Sequence, residues 1–214
     1  MVEAVIFDMD GVLVDTEPIS DESIIESCKK LGVKFSDEDI EYSRGRSSKD
    51  IWSYMKKKHT LKQSVEVLIE KNRKNYWVKL QNLKPLPGAV ELLNALKQQN
   101  IPLGLASSSS PQTIDVTLSA ISAKHFFKEI LSGHQVKQSK PAPDIYIEIA
   151  RRLKTAPQRC TAIEDSPNGV LAAKAAGMKC IAVPCSVTIG RDFSHADKVI
   201  KSLTDVSVKD IERL

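Results

Sequence analysis

The chain has 214 residues, of which 42% are hydrophobic and 27% charged, and its formal net charge is +4. This composition predicts a soluble globular protein with one large domain, or a core with a smaller insert. No apolar run approaches the ~20 residues a membrane helix needs, and no basic, apolar leader precedes the first strand-like residues, so a cytoplasmic protein without membrane contact is expected.

The first element is an apolar run, Val2–Phe7, that reads as a buried strand and ends in "IFDMDGVLVD". Asp8 and Asp10 stand two residues apart where this strand stops. Like charges that close raise each other's pKa, so a neutralising partner is expected. From Thr16 to about Leu83 no strand pattern occurs. Helical periods run instead over Ile19–Leu31, Asp37–Tyr42, Ser48–Lys57 and Leu61–Leu80. Thr60 is the expected N-cap of the last, and Ser47 or Ser48 that of the third. Residues 16–84 hold 15 Lys and Arg against 11 Asp and Glu, while the remainder is balanced. That excess fits either a solvated basic face or attraction of a small anion. The short "KKKH" at Lys56–His59 has no nucleic-acid motif around it, so no nucleic-acid partner is expected.

After Pro85-Leu86-Pro87-Gly88 the texture changes. Helix Ala89–Gln98 precedes strand Pro102–Ala106, and helix Pro111–Ile121 precedes strand Glu129–Leu131. Helix Pro143–Leu153 precedes strand Thr161–Ile163, and helix Pro167–Ala176 precedes strand Cys180–Val183. A short run at Val199–Ile200 and a final helix follow. Such alternation predicts a parallel sheet covered by helices on both faces. The expected fold is α/β, a Rossmann-like parallel core of residues 1–15 and 85–214 with an inserted all-α helical cap of residues 16–84. Cys28, Cys160, Cys180 and Cys185 show no zinc spacing and are expected to be reduced thiols.

Ligands of open α/β sheets bind beyond the carboxyl ends of the strands. There the sequence places Asp8 and Asp10, the serine run Ser107–Ser110, Lys140 in "VKQSKPAP", and Glu164-Asp165-Ser166. Each has a plainer reading. An Asp-x-Asp can be a turn, a serine run can cap the helix at Pro111, and Lys140 can be a surface lysine. Ser166 with Pro167 reads as a helix start in any case. Their joint occurrence, each after a strand, points further. Four carboxylates in one cleft require a cation, and an all-oxygen set suits Mg²⁺. Ser107 and the helix start behind it offer donors to phosphate oxygens, and Lys140 offers positive charge.

Together these residues resemble the haloacid dehalogenase superfamily of phosphohydrolases. "DMDGVLVD" is similar to its first motif, Ser107 to its second, Lys140 in "SKPAPDIY" to its third, and "EDSPNGVLAAKAAG" to its fourth. The resemblance runs from Val2 to about Val183 and lies nearest the β-phosphoglucomutase-like and sugar-phosphate phosphatase group. It implies that Asp8 is the nucleophile and forms an aspartyl phosphate, and that Asp10 is the general acid and base. It implies Mg²⁺ ligation by Asp8, Asp165 and the Asp10 backbone carbonyl, with Glu164 bound to the ion or one step behind it. Ser107 and the Ser108 amide would hold phosphoryl oxygens, and Lys140 would balance charge.

An acid at Asp10 sets the chain apart from members that cleave carbon–halogen bonds, and the local signature of phosphonate cleavage is not seen. Mutases of the group carry a histidine matching Ser20 and an arginine matching Ser48. This chain instead has "SRGRSSKD", in which Gly45, Arg46 and Lys49 are candidate substrate contacts, although loop cations are commonly solvated. The expectation is a Mg²⁺-dependent phosphatase of a sugar or polyol phosphate, monomeric by default. The alternatives are a β-phosphoglucomutase-type mutase and, more remotely, a non-catalytic metabolite-binding protein.

Overall fold

The computed structural model describes residues 2–43 and 46–214. The chain divides into two compact units, one formed by the residues up to Asp15 with Leu83–Leu214, the other by Thr16–Asn82.

The first unit is built on six parallel strands: β1 (Ala4–Phe7), β2 (Leu103–Ser107), β3 (Glu129–Ser132), β4 (Cys160–Glu164), β5 (Lys179–Ala182) and β6 (Lys198–Val199). Their spatial order is β3-β2-β1-β4-β5-β6. β1 is fully buried because both sheet faces are covered, which explains its uninterrupted apolar run. Its side chains alternate between two cores. Val5 and Phe7 pack with Leu92, Leu93 and Leu96 of α5 (Ala89–Gln98) and with Leu118 of α6 (Pro111–Ala120). Ala4 and Ile6 pack with Ile145 and Ile149 of α7 (Asp144–Leu153) and with Val170 of α8 (Pro167–Ala175). A short α9 (Val208–Glu212) adds Ile211 to the first core.

Among the described residues, the second unit holds four helices, α1 (Glu17–Lys30), α2 (Asp37–Ser43), α3 (Ser48–Lys58) and α4 (Val65–Leu80). Ile24, Cys28, Trp52, Met55 and Leu68 form its own core. The buried Asp39 carboxylate accepts from Lys58 at 2.6 Å and ties α2 to α3. Burial opposes ionisation of Asp39, yet Lys58 and Ser36 outweigh it and hold the carboxyl at about 2.

The sequence reading needs one correction here. α4 begins at Val65, not near Leu61, and its N-cap is Ser64, whose side chain accepts from Val67 N. Thr60 has a left-handed φ of 50° and stands four residues before that cap. The Lys56 ammonium donates to the carbonyls of Leu61 and Gln63 at 2.7 and 2.6 Å. Those carbonyls are satisfied by a side chain, so a helix is not needed to pair them. Ser47 caps α3 as expected, accepting from Asp50 N.

Candidate active site

β1 lies where the sheet's strand order reverses: the chain runs outward to β2 and β3 on one side and to β4, β5 and β6 on the other. Such a switch point opens a crevice at the carboxyl ends of the strands. The register fixes what lines it. Phe7 pairs with Leu105 and with Ile163, so the residues just beyond are Asp8, Ala106–Ser107 and Glu164–Asp165. Asp8 remains tied to the sheet edge through its N–H, which donates to Ile163 O at 2.9 Å.

One carboxylate oxygen from each of Asp8, Glu164 and Asp165 lies within 4.8 Å of the others, and all three residues are buried. Two glycines make the space. A Cβ on Gly11, whose φ is +80°, would sit 2.2 Å from Asp165 Oδ2, and a Cβ on Gly169 would sit 2.0 Å from the Glu164 carboxyl carbon. The glycines of the first and fourth motifs are thus required by the carboxylates they face.

Lys140 reaches this cluster from the segment between β3 and α7. Its ammonium donates to Asp8 Oδ1 at 2.6 Å, to Glu164 Oε1 at 2.6 Å and to Ala106 O at 2.9 Å. All three of its donors are therefore used. Burial works to lower its pKa, but Asp8 and Glu164 outweigh burial and raise it, so Lys140 stays cationic. Glu164, fully buried, accepts two further bonds on its other oxygen, from Asp165 N and Ser166 Oγ, each at 3.2 Å. Tyr146 Oη donates to Glu164 Oε1 at 2.6 Å. Burial pushes the Asp8 carboxyl well above its ordinary range; Lys140 opposes this, while Glu164 and Asp165 add to it. Burial, then the Glu164 charge, raises Asp165 to about 7. One lysine does not balance this many acids, and carboxylate oxygens are hard donors, so the residues fit a divalent cation such as Mg²⁺.

The structure gives Ser107, Ser108, Ser109 and Ser110 distinct neighbours. Ser107 is the buried last residue of β2, and its hydroxyl lies 3.4 Å from Asp10 Oδ2. Ser109, which sequence reasoning missed, donates to the same oxygen at 3.0 Å. Ser108 is exposed, and Ser110 caps α6 by accepting from Thr113 N. In a run of four identical residues only the turn geometry assigns the roles. Two other neighbours were missed. Tyr146 carried no signal beyond an apolar helix position. Cys185, read only as a thiol, donates to Asp165 Oδ2 at 3.0 Å.

The remaining candidates belong to the helical unit. Arg46 stacks its guanidinium on Tyr42, 4.2 Å from the ring centroid. With Ser20, Ser48, Glu17 and Asp21 it lines a polar cavity of about 150 Å³. Lys49 is exposed in the first turn of α3. Gly45 lies outside the described residues.

A Rossmann-like sheet with an aspartate at the central strand end, a buried lysine and paired acids where β4 ends defines a class of phosphate-ester hydrolase. The chain matches the haloacid dehalogenase-like hydrolase family over residues 5–183 and belongs to it; it is a phosphoric monoester hydrolase of that family. It is 33% identical over 214 residues to hexitol phosphatase B of Escherichia coli, covering 97% of this chain and 96% of that protein. It is 32% identical over 206 residues to the bifunctional riboflavin kinase/FMN phosphatase of Arabidopsis thaliana, where it spans 96% of this chain but only 54% of the relative. The crystal structure of β-phosphoglucomutase from Clostridium difficile superposes with a TM-score of 0.79 at 27% identity, covering all of this chain and 96% of that one. No helix among the described residues is long and apolar enough to cross a membrane.

Proposed function

We propose that the protein is a Mg²⁺-dependent phosphatase that hydrolyses a small sugar or polyol phosphate through an aspartyl-phosphate intermediate. The observation that carries this reading is the Lys140 ammonium held 2.6 Å from both Asp8 and Glu164, inside a buried cluster of three carboxylates. Asp8 is the nucleophile: its oxygen bonds to phosphorus while the ester P–O bond breaks. Asp10 gives its proton to the departing alkoxide. It then takes one from the attacking water as the Asp8–phosphorus bond breaks and inorganic phosphate leaves. Lys140 pairs with Asp8, opposing the effect of its burial, and offsets charge as an anionic phosphoryl group approaches. Ser107 and Ser109 orient the Asp10 carboxyl, and the Ser108 amide donates to a phosphoryl oxygen. Mg²⁺, held by Asp8, Asp165 and the Asp10 carbonyl, supplies the positive charge that lets these acids and the substrate coexist.

The 16–84 segment is the cap that selects the leaving group, and its polar cavity with Arg46 is the candidate contact for sugar hydroxyls or a second phosphate. Lys49 and Gly45 stand beside it in sequence. Likeness to β-phosphoglucomutase keeps a mutase as the second reading. Serines at 20 and 48, where mutases carry a histidine and an arginine, favour hydrolysis. Similarity to hexitol phosphatase B favours a polyol phosphate. The test is phosphate release over a panel of phosphorylated metabolites, with Mg²⁺ or EDTA, beside Asp8→Asn and Asp10→Ala. We expect turnover to need Mg²⁺, to vanish in Asp8→Asn and to fall severely in Asp10→Ala. Hydrolysis retained by Asp8→Asn would sink the mechanism. Isomerisation of glucose 1-phosphate dependent on a bisphosphate would establish the mutase.

A further inference from the structure

We propose that Tyr146 is a positioning residue for this reaction, holding Lys140 against Asp8 by sharing the Glu164 carboxylate with it. The inference rests on the roles given above to Asp8 and Lys140. Tyr146 sits in the first turn of α7 and is fully buried. A residue needed only to fill the core requires the ring alone. Here the hydroxyl donates at 2.6 Å to Glu164 Oε1, the same oxygen that Lys140 takes at 2.6 Å. The ring lies beneath the ammonium, with Nζ 5.2 Å from its centroid. Tyr146 therefore touches both members of the ion pair, one with its edge and the other with its face.

The consequence follows from competition. Lys140 has three donors and three acceptors, two of them carboxylates that pull it in different directions. Its place is the balance of those pulls. The Tyr146 O–H satisfies part of the Glu164 charge and weakens its hold on the ammonium. Burial, reinforced by the Glu164 charge, keeps the phenol protonated and hence a donor. Without the hydroxyl, Glu164 draws Nζ away from Asp8, and the nucleophile meets an anionic phosphoryl group with less of its charge offset. Substrate contacts are untouched, so the loss falls on kcat and not on KM.

The experiment compares Tyr146→Phe, Glu164→Gln and the double variant by steady-state kinetics and thermal unfolding. It also records the side-chain ammonium resonance of Lys140 in protein labelled with ¹⁵N-lysine, assigned by its absence in Lys140→Met. The expected result for Tyr146→Phe is a shifted Lys140 resonance, a kcat lower on the order of tenfold, and a KM within about twofold of wild type. In the Glu164→Gln background the same substitution should change kcat by less than about twofold. An unmoved resonance with unchanged kcat overturns the proposal, as does an equal loss in both backgrounds or a loss confined to thermal stability. Should Tyr146→Phe not fold, biosynthetic fluorotyrosine, a stronger donor, must move the Lys140 resonance, and failure to do so overturns the proposal equally. The resonance is read without turnover. It therefore separates failure of the positioning from failure of the Asp8 mechanism, which Asp8→Asn tests on its own.

Discussion

Protein stripped of divalent cations should lose stability as the pH rises from about 4 through about 7. Asp165 has an ordinary carboxyl value of 3.8, which burial and the neighbouring Glu164 raise to about 7. Between those values the folded chain keeps a proton that the unfolded chain has released, so acid favours the fold. The contribution is fully present below 3.8 and is lost as the pH climbs through about 7. At about 1.4 kcal/mol for each pH unit the span amounts to about 4 kcal/mol, roughly 3 of it between about pH 5 and about pH 8. Asp8 is shifted in the same direction and adds to the fall. Groups of opposite sign lie outside the window: Asp39 and Glu148, each held at about 2, withdraw their stabilisation only as the pH falls toward that value. The assay is urea denaturation in EDTA at about pH 5 and about pH 8, repeated in excess Mg²⁺ and with Asp165→Asn. Wild type in EDTA should be the less stable at the higher pH, the variant should be much flatter, and Mg²⁺ should restore the alkaline loss by binding the ionised cluster. Equal or greater stability at about pH 8 in EDTA would refute the reasoning. A fall of the same size in Asp165→Asn would move its source to another group.

Lys140→Met removes the cation between Asp8 and Glu164, whose side chains are 9% and 0% exposed. Breaking a buried pair on one side costs roughly 3–5 kcal/mol, so the melting temperature should fall visibly and kcat by about a hundredfold or more. A variant as stable as wild type would mean that the carboxylates find another partner. Ser109→Ala deletes the closer of two serine donors to Asp10; kcat should fall about threefold to tenfold, the value of one ordinary hydrogen bond of about 1 kcal/mol, with the melting temperature nearly unchanged. Kinetics identical to wild type would show that Ser107 alone orients Asp10.

The parallel core was legible because its two signals are strong. A strand buried on both faces reads as an unbroken apolar run, as Ala4–Phe7 does, and the helices between strands are bounded by Pro and Gly at Pro111, Pro167 and Gly177. Asp8, Lys140, Glu164 and Asp165 were legible as a group because each follows or ends a strand, and parallel strands bring their ends to one edge. What sequence could not supply were contacts set by tertiary geometry. The start of α4 depends on Lys56 reaching forward to two carbonyls. Ser109 differs from Ser107 and Ser108 only in where the turn aims it. The bonds from Tyr146 to Glu164 and from Cys185 to Asp165 join residues 18 and 20 positions apart, with no local pattern to mark them.

Glu164 and Asp165 are adjacent acids, and their surroundings give them unequal chemistry. Glu164 takes two donors on each oxygen, Lys140 and Tyr146 on one, Asp165 N and Ser166 on the other. A carboxylate has about four lone-pair positions, so Glu164 offers a cation its charge but no vacant acceptor. Asp165 takes the Cys185 thiol, a weak donor, on the oxygen that faces Gly11. It keeps most of its capacity for a hard ion, and its raised pKa measures how poorly the fold alone compensates its charge. The same logic separates Asp8 from Asp10. Asp8 accepts from the Lys140 ammonium, whereas Asp10 accepts from two neutral hydroxyls, those of Ser107 and Ser109, a pairing that suits the acid and base role proposed for it. A carboxylate that must cycle a proton is better served by hydroxyl partners than by an ammonium, because an ammonium stabilises only the ionised form.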